Sequence, residues 1–298
     1  MRILLTGGKG LLGRTLRRRF AARHEVAVAD LPEVDVLRAD ALADGFRRAA
    51  PDVVVHCAAM TRVDDCETQP ERAFRLNGLG SANVARACVA CGARLVAIST
   101  DYVFSGDVRE RGGASGDARG WRETDPTFPR TVYGRSKLAG ERSVLDILPS
   151  AVVLRVAWLY GAGGPSFVHT MARLGAQEGE PLKVVDDQRG NPTSADAVAD
   201  VLAFLLAHPE VSGVVHGTCT GACSWYGLAV ELFRLLGTAR AVRPCTTAEF
   251  PRPAPRPADS ALATTVLERL GYRTPRWQDA LARFVRTEFT TRETQTER

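Results

Sequence analysis

A glycine-rich turn close to the start of the chain narrows the choice of folds more than any other segment. The strand-like run Arg2-Ile3-Leu4-Leu5-Thr6 leads directly into glycines at positions 7, 10 and 13, and a helical pattern follows from about Leu11 to Ala22. Glycines at this spacing allow a tight turn, close approach of the backbone to a phosphate, and close packing of helix on strand. The pattern predicts a dinucleotide-binding βα unit with the pyrophosphate at the helix N-terminus. An ordinary glycine-rich βα turn is the alternative.

An acidic residue after the second predicted strand bears on the choice of cofactor. That strand runs from Glu25 to Ala29 and ends at Asp30. A carboxylate in this position normally binds the adenosine ribose hydroxyls, so it weakly favours NADH. Lys9 and Arg14 would instead attract a 2′-phosphate, and Asp30 could simply cap the turn that follows it. We therefore predict a nicotinamide cofactor, either NADPH or NADH.

Short β-type runs alternate with helical patterns through the first half of the chain. This alternation predicts an α/β fold, a doubly wound parallel sheet of the Rossmann type with helices on both faces. The predicted strands cover residues 2–6, 25–29, 53–56, 94–99, 151–157 and 214–217. Ligands in such sheets bind outside the carboxyl ends of the strands. Residues at or just after these ends should therefore converge on one crevice, namely Gly7, Asp30, Ala58, Thr100 and Trp158.

The second half of the chain is less regular and is predicted to form a smaller C-terminal lobe that binds the substrate. We assign residues 1–157 to a dinucleotide-binding domain, to which residues 191–220 contribute, and residues 158–190 and 221–298 to the lobe. Prolines concentrated between positions 244 and 257 predict an extended connection. Helical patterns follow at 260–270 and 277–289, and the polar residues 290–298 are expected to fray.

Tyr133 and Lys137 are the centre of the predicted chemistry. They are four residues apart, so on a helix they share a face. A hydride reductase needs a bound nicotinamide, a proton donor at the carbonyl oxygen and a group that polarises this oxygen. We predict that Tyr133 donates the proton and that Thr100 directs its hydroxyl at the same oxygen. Lys137 is expected to lower the pKa of Tyr133 and to bond the nicotinamide ribose.

An ordered set of further motifs resembles one family over nearly the whole chain. The motifs are Val63-Asp64-Asp65-Cys66-Glu67, Asn77-Gly78-Leu79-Gly80-Ser81-Ala82-Asn83, Ser99-Thr100-Asp101-Tyr102-Val103-Phe104, Tyr133-Gly134-Arg135-Ser136-Lys137, Arg155-Val156-Ala157-Trp158-Leu159-Tyr160-Gly161 and Asp187-Gln188-Arg189-Gly190-Asn191-Pro192-Thr193. They continue with Arg256-Pro257 and Pro275-Arg276-Trp277-Gln278-Asp279-Ala280-Leu281. On these residues the chain is similar to the dTDP-4-dehydrorhamnose reductase family of extended short-chain dehydrogenases/reductases.

The resemblance implies an activity and a set of site residues. The implied reaction is the NAD(P)H-dependent reduction of the C4 keto group of a dTDP-4-keto-6-deoxy-L-hexose, in deoxysugar biosynthesis. The dinucleotide site predicted from the glycine motif and the resemblance consists of Gly7, Gly10, Leu11, Leu12, Gly13, Asp30, Asp35, Val36, Ala58, Ala59 and Met60, with Tyr133 and Lys137. Thr100, Asp101 and Trp158 are implied to contact the sugar nucleotide. Trp158 could equally be a core aromatic side chain.

Two departures from the family pattern concern the substrate and the assembly. The segment Gly106 to Gly120 is longer than in the family and contains Arg109, Arg111 and Arg119, which could bind the substrate diphosphate or simply be solvated. The extra length leaves room for a modified sugar of an antibiotic pathway. Arg14-Thr15 occupies a place where some bacterial members have a glutamate tied to a magnesium-linked dimer. We therefore predict no metal and leave a homodimer open.

Composition argues against other classes of protein. The net charge of +5 comes from scattered arginines, since only Lys9, Lys137 and Lys183 are lysines, and without a clustered basic stripe we expect no nucleic-acid partner. Long apolar runs and an N-terminal targeting pattern are missing from the sequence, so we expect no membrane partner. The seven cysteines include Cys88-x-x-Cys91, but this pair falls inside a helical pattern. Reduced thiols in a cytoplasmic protein are the preferred interpretation over zinc ligands.

Two other functions remain open from sequence. One is a non-catalytic subunit of the same fold, like the regulatory subunit of methionine adenosyltransferase, which the intact set of Thr100, Tyr133 and Lys137 argues against. The other is a sugar-nucleotide epimerase of the same superfamily, which would retain its nicotinamide tightly through the reaction cycle.

Overall fold

Six parallel strands form the central sheet of the protein. A computed structural model describes residues 1–112 and 119–290. The strands of the sheet are β1 (Arg2–Thr6), β2 (Glu25–Ala29), β3 (Val53–His56), β4 (Arg94–Thr100), β5 (Val152–Val156) and β10 (Gly213–His216). Their order is β10-β5-β4-β3-β1-β2, and every neighbouring pair is parallel. The order reverses between β1 and β3, which is where a doubly wound sheet opens a crevice.

Helices cover both faces of this sheet. The α-helices of the described ranges are α1 (Leu11–Phe20), α2 (Ala39–Ala49), α3 (Val63–Thr68), α4 (Pro70–Phe74), α5 (Gly80–Cys91), α6 (Val132–Ile147), α7 (Phe167–Gly175), α8 (Ala195–Ala207), α9 (Trp225–Leu236), α10 (Thr265–Arg269) and α11 (Trp277–Val285). Alternate residues of β1 point to opposite faces: Ile3 and Leu5 pack with α1 and α8, and Leu4 packs with α2 and α5. The predicted α/β class with a doubly wound parallel sheet is confirmed.

A third apolar cluster lies among the elements after β5. It includes Tyr160, Val168, Leu228, Leu232 and Phe284, from segments far apart in sequence. Short strands connect these segments in pairs: β6 (Leu159–Tyr160) with β9 (Thr193–Ser194), β8 (Arg189–Gly190) with β11 (Cys223–Ser224), and β7 (Leu182–Val185) with β12 (Val242–Cys245). Tyr160, Val168 and Leu228 of this cluster line the crevice.

Three predicted elements differ from the structure. The first helix ends at Phe20 and not at Ala22. The helical pattern that contains Cys88 and Cys91 begins in sequence at about Pro70 and predicts one helix to Cys91, but a π-helical turn, Arg75–Leu79, divides it between α4 and α5. The predicted helix over 260–270 is wrong in its first half, because residues 259–263 are extended and bond the backbone of Trp121 and Arg189. The residues predicted to fray lie almost entirely outside the described ranges.

None of the helices in the described ranges combines the length and apolarity needed to cross a membrane. Over the same residues, no group of three or more His, Cys, Asp or Glu side chains is arranged to hold a metal ion.

Candidate active site

A cavity of about 770 Å³ opens at the carboxyl ends of the central strands. The segments that follow β1 to β5 all contribute to its wall, as expected for the ligand site of a doubly wound sheet. The structure brings together the predicted residues Gly7, Gly10, Leu11, Leu12, Gly13, Asp30, Asp35, Val36, Ala58, Ala59, Thr100, Asp101, Tyr133, Lys137 and Trp158. The expected convergence of strand ends on one crevice is therefore observed.

Met60 is the predicted site residue that does not line this cavity. Its backbone N–H donates to Oδ1 of Asn77 at 2.8 Å, and its carbonyl oxygen accepts from Nδ2 of the same side chain at 3.1 Å. Nδ2 also donates to Oγ of Ser136 in α6 at 2.9 Å. The buried Asn77 amide thus connects the segment after β3 to the helix that contains Tyr133. In sequence, Asn77 belongs to a family motif but had no predicted role. A polar residue within the apolar pattern of a helix indicates a buried hydrogen-bonding group, and this signal could have identified it.

The glycine turn is shaped by close backbone contacts. Gly7 has φ +72°, and a Cβ atom there would lie 2.5 Å from the backbone nitrogen of Ala58. A Cβ on Gly13 would lie 2.3 Å from the carbonyl oxygen of Gly7. Helix α1 begins directly after Gly10 with no side chain capping its N-terminus. Its first N–H groups therefore remain available to a phosphate, and the turn fits the pyrophosphate of a dinucleotide.

Asp30 caps the glycine turn from the end of β2. Its Oδ1 accepts hydrogen bonds from the backbone N–H groups of Gly7 and Gly8, and its Oδ2 accepts from the N–H of Lys9 at 2.8 Å. The carboxylate therefore caps the turn after β1 and not the turn that follows Asp30 in sequence, which was the alternative considered above. The carboxylate still lines the cavity, so its contact with the adenosine ribose stays a prediction.

The two cations near the turn are directed toward backbone carbonyl groups. The Lys9 ammonium donates to the carbonyl of Leu31 at 2.7 Å and lies 3.7 Å from Glu33. The Arg14 guanidinium donates to the carbonyls of Lys9 and Gly163. Of the two, Lys9 alone lines the cavity, so it is the better placed to meet a 2′-phosphate.

Helix α6 holds Tyr133 and Lys137 on the cavity wall. Thr131 caps its N-terminus, since its hydroxyl accepts from the N–H of Gly134 at 2.9 Å, and Glu67 accepts from the N–H of Val132 at 2.7 Å. Both site residues are buried, and Nζ of Lys137 donates to the carbonyl of Ile98 in β4 at 2.8 Å. Capping of the N–H groups of Val132 and Gly134 fixes the start of the helix and thereby the position of the Tyr133 phenol.

Burial dominates the electrostatics of this pair. It raises the pKa of Tyr133 well above its ordinary value, and a hydrogen bond with Thr100 opposes the rise without cancelling it. Burial also lowers the pKa of Lys137 to about 8, opposed by the charge of Glu141. The predicted lowering of the Tyr133 pKa is wrong, because burial raises this pKa, the charge of Asp101 raises it further, and the hydrogen bond with Thr100 lowers it by less. The phenol is therefore protonated at neutral pH, and its raised pKa also makes it a weaker acid than an exposed tyrosine.

Thr100, the last residue of β4, is part of a buried chain of hydroxyl and carboxyl groups. Its Oγ1 donates to Oδ1 of Asp101 at 3.0 Å and accepts from the N–H of Tyr102 at 3.2 Å. The other carboxylate oxygen of Asp101 accepts from Ser260, which comes from the extended segment before α10. Burial raises the pKa of Asp101 to about 6. Donation from Thr100 to a substrate oxygen therefore requires its hydroxyl to turn away from Asp101.

Trp158 lies against a second tryptophan at the other end of the cavity. Its ring is parallel to that of Trp225, with centroids 3.5 Å apart, and both line the cavity together with Phe167. Sequence reasoning named Trp158 but missed Trp225 and Phe167, which look like ordinary helical aromatics in sequence. Both interpretations of Trp158 apply in part, since it packs against other side chains and also faces the cavity.

The arginines of the long segment after β4 do not line the cavity. Arg109 bonds Asp107, Arg119 bonds Asp125, and the Arg111 guanidinium lies 5.2 Å from the ring centre of Trp121. These contacts favour the solvated or structural alternative over binding of a diphosphate. Residues 113–118 of this segment lie outside the described ranges.

Substitution of Gly134 tests how tightly α6 must approach the segment after β4. A Cβ atom at this position would lie 2.1 Å from the backbone carbonyl oxygen of Tyr102, which cannot move without displacing Thr100 and Asp101. Overpacking of this kind costs about 1–3 kcal/mol. We expect Gly134→Ala to lower the free energy of unfolding by this amount and to lower kcat, as measured by urea titration and steady-state assay.

Gly45→Ala is the matched control for that variant. Gly45 lies within α2, and its Cβ would meet only the Val34 side chain at 3.7 Å. Removing glycine from a helix interior is expected to stabilise by about 0.5–1 kcal/mol. Equal unfolding midpoints for the two variants would contradict the close helix approach at Gly134.

The fold and the site together define the class of the protein. A glycine turn after β1, a Tyr–Lys pair opening the helix before β5 and a cavity shared by both are the features of an extended short-chain dehydrogenase/reductase. The family model for the RmlD substrate binding domain matches residues 1–289. The chain belongs to this family, and the resemblance inferred from its motifs is confirmed.

Similar proteins and structures come from several bacteria. The chain is 45% identical to a dTDP-4-dehydrorhamnose reductase of Streptomyces griseus over 291 residues, covering 94% of this chain and 91% of the relative. It is 45% identical to a probable dTDP-4,6-dihydroxy-2-methyloxan-3-one 4-ketoreductase of Streptomyces antibioticus over 270 residues, covering 88% of this chain and 86% of the relative. The crystal structure of the Bacillus anthracis dTDP-4-dehydrorhamnose reductase in complex with NADP matches with a TM-score of 0.88 at 34% identity. The match covers 95% of this chain and 98% of that structure.

Proposed function

We propose that the protein reduces the C4 keto group of a dTDP-4-keto-6-deoxy-L-hexose with NADPH or NADH. The observation that carries the proposal is the placement of Thr100, Tyr133 and Lys137 on one cavity with the glycine turn. The names of the relatives support the substrate class. The Streptomyces antibioticus relative is named for a ring ketone beside a methyl-bearing carbon, which supports a role in making a modified deoxysugar such as that of an antibiotic.

The residues divide the reaction between them. When bound, the reduced nicotinamide supplies the hydride that reduces the carbonyl carbon. Tyr133 gives its phenolic proton to the carbonyl oxygen, and the positive charge of Lys137 stabilises the phenolate that remains. The Thr100 hydroxyl stabilises the same developing charge. Asp30 and the glycine turn hold the adenosine and pyrophosphate end. Val156, Trp158 and Phe167 line the same cavity.

The division of the chain follows from these roles. We propose that residues 1–157 and 191–220 bind the dinucleotide and that residues 158–190 and 221–298 bind the substrate, with Asp101 and Trp158 in contact with the sugar nucleotide. All seven cysteines are free, which supports the proposed cytoplasmic location. Association into a homodimer stays a prediction, with gel filtration and light scattering as its measurement.

Product analysis tests the proposed reaction. Purified protein is incubated with dTDP-4-keto-L-rhamnose and either reduced cofactor, and the sugar nucleotide is identified by mass and NMR. We expect dTDP-L-rhamnose and stoichiometric oxidation of the cofactor. An epimerised ketone without net oxidation, with cofactor that co-purifies, would indicate the epimerase instead. Absence of turnover with intact folding would favour the non-catalytic subunit.

The cofactor preference is expected to be moderate and in favour of NADH. Asp30 should repel a 2′-phosphate, while Lys9 partly offsets this repulsion. Asp30→Ala also removes the cap of the glycine turn, so affinity for both cofactors should fall, and the informative quantity is the ratio of kcat/KM for NADH to that for NADPH. We expect this ratio to fall severalfold. A wild-type preference for NADPH of tenfold, or an unchanged ratio in the variant, would contradict the role of Asp30.

A further inference from the structure

Glu141 is a buried carboxylate that the proposed reaction does not use. It lies in α6 one helical turn after Lys137 and two turns after Tyr133, so the three side chains share one face of the helix. Residues four apart on a helix have Cβ atoms about 5–6 Å apart, which makes Glu141 a direct neighbour of Lys137. A buried carboxylate is costly unless it is paired and hydrogen-bonded, so its partners are a guide to its role.

Arg155 and Ser99 satisfy the Glu141 carboxylate. Nε of Arg155 donates to Oε1 at 2.9 Å and Nη2 donates to Oε2 at 2.7 Å, which is the bidentate geometry of a strong ion pair. The Ser99 hydroxyl donates to Oε1 at 2.5 Å. Both side chains of the ion pair are only 4% exposed. Removing either charge would therefore leave the other buried without its partner.

The cluster around Glu141 continues across three neighbouring strands. Ser99 in β4 pairs in register with Arg155 in β5, and Arg155 pairs with His216 in β10, so their side chains lie side by side on one face of the sheet. Nδ1 of His216 donates to the carbonyl oxygen of Ala263 at 2.9 Å, which leaves Nε2 to accept from Nη1 of Arg155 at 3.4 Å. Burial and the charge of Arg155 lower the pKa of His216 to about 3. The imidazole is therefore neutral and adds no charge to the pair.

Two consecutive residues of β4 hold α6 against the sheet. Nζ of Lys137 donates to the carbonyl oxygen of Ile98, and Glu141, one turn later, accepts from the hydroxyl of the next residue, Ser99. Two contacts on one face of a helix fix its rotation as well as its distance from the strand. Glu141 thus supports the turn of α6 that carries Lys137.

The other titratable groups around Lys137 are neutral or bonded elsewhere. They are His56, Cys57, Asp30, Asp101, Tyr102 and Tyr133. Burial lowers the pKa of His56 to about 3, raises that of Cys57 to about 12 and raises those of both phenols, so all four groups are uncharged at neutral pH. The two aspartates accept hydrogen bonds from the glycine turn and from Ser260, respectively. Glu141 is the charge that most strongly opposes the effect of burial on Lys137.

We propose that Glu141, held by Arg155 and Ser99, is a positioning residue that keeps the Lys137 ammonium group charged and in contact with β4. The inference rests on the proposed function, in which this charge stabilises the Tyr133 phenolate. Burial lowers the pKa of Lys137 to about 8, and the charge of Glu141 opposes this lowering. Without the carboxylate, Lys137 should lose its proton about one pH unit lower than in the wild type.

The test follows the alkaline side of the pH profile. The kcat/KM for the 4-keto-6-deoxy substrate is measured as a function of pH at saturating cofactor. Glu141→Gln keeps the shape of the side chain but removes its charge, so the midpoint of the alkaline decline should move down by about one pH unit. Glu141→Asp keeps the charge and should keep the wild-type midpoint, whatever its absolute rate.

Two further variants separate this role from a general loss of packing. Lys137→Arg stays charged and should lack the alkaline decline, and combining it with Glu141→Gln should not restore one. Glu231→Gln is the matched control, because Glu231 in α9 accepts two hydrogen bonds from Arg234 in the same bidentate geometry, at 2.8 and 2.7 Å. It should keep the wild-type profile.

NMR of the lysine side chains gives a readout that does not depend on turnover. The chain contains three lysines, so isotope-labelled lysine gives three Cε signals, and the signal missing in Lys137→Arg belongs to Lys137. Its titration should show a lower pKa in Glu141→Gln than in the wild type. If that variant does not fold, Glu141→Gln combined with Arg155→Met takes its place, because it leaves no unpaired charge buried.

An unchanged alkaline midpoint or an unchanged Lys137 titration in the variant without the carboxylate would overturn the inference. An equal shift in Glu231→Gln would also overturn it. In each case turnover of the keto sugar by the wild type would leave the proposed function standing. If the wild type does not reduce the keto sugar, the proposed function fails, and the NMR titration alone decides whether Glu141 keeps Lys137 charged.

Discussion

Replacing Tyr133 with phenylalanine is expected to lower kcat by about 100- to 10,000-fold, the usual contribution of a general acid. The substitution removes only the phenolic O–H, which the structure places on the cavity wall beside Thr100. The wild-type phenol, whose pKa burial raises, is protonated across the neutral range and so holds the proton that the reaction needs. Cofactor affinity, measured by fluorescence titration, should stay close to that of the wild type.

Tyr102→Phe is the comparison variant for that prediction. The Tyr102 ring lies edge-on to Tyr133, with centroids 5.6 Å apart, and it too lines the cavity. It should retain a kcat at least ten times that of Tyr133→Phe. A Tyr133→Phe enzyme with more than half of the wild-type kcat would remove Tyr133 from the role of proton donor.

Replacing Lys137 with methionine is expected to impair both turnover and cofactor binding. The ammonium group stabilises the phenolate and, in the proposed function, bonds the nicotinamide ribose, so kcat should fall and the cofactor KM should rise. With the pKa of Lys137 lowered to about 8, wild-type activity should also decline as pH rises through 8 and the positive charge is lost. Lys137→Arg keeps its charge in this range and should lack the decline, whatever its absolute rate.

Unfolding does not explain such an alkaline decline. The folded-state pKa of Lys137 is below its unfolded value of 10.5, so between about 8 and 10.5 the unfolded chain binds more protons. The contribution of Lys137 to the free energy of unfolding therefore rises with pH in this window, opposite to the activity. Thermal unfolding recorded over the same pH series separates the two effects.

The ribose contact has a test of its own. An unchanged cofactor KM in Lys137→Met would show that the contact between Lys137 and the nicotinamide ribose is wrong.

Much of the candidate site could be predicted because local patterns determine it. The glycine spacing at 7, 10 and 13 is fixed by backbone contacts within a few residues and with the next strand. Parallel strands bring their carboxyl ends to one edge of the sheet. Recognising the strands in the sequence was therefore enough to predict that Asp30, Thr100 and Trp158 line the same crevice.

The remaining features depend on contacts that no local pattern encodes. Ser260 bonds Asp101 although 159 residues separate them in sequence, and Trp225 reaches Trp158 through the pairing of two short strands. Residues 260–263 were predicted as helix because Ala261 and Leu262 fit the periodicity of a helix as well as that of a strand, but their backbone pairs with Trp121. The direction of the Tyr133 pKa likewise depends on burial, which is a property of the whole fold.

The π-helical turn at Arg75–Leu79 constrains the length of the chain as well as its composition. A π turn contains one residue more than an α turn, and this extra residue sets the angle at which Asn77 leaves the helix. Removing one residue would restore α-helical pitch and rotate everything before it by roughly 100° relative to α5. Asn77 could then no longer reach Met60 and Ser136 together. Over these five positions a change of side chain anywhere but at Asn77 is a local event, whereas a deletion would uncouple the segment after β3 from the helix that bears Tyr133.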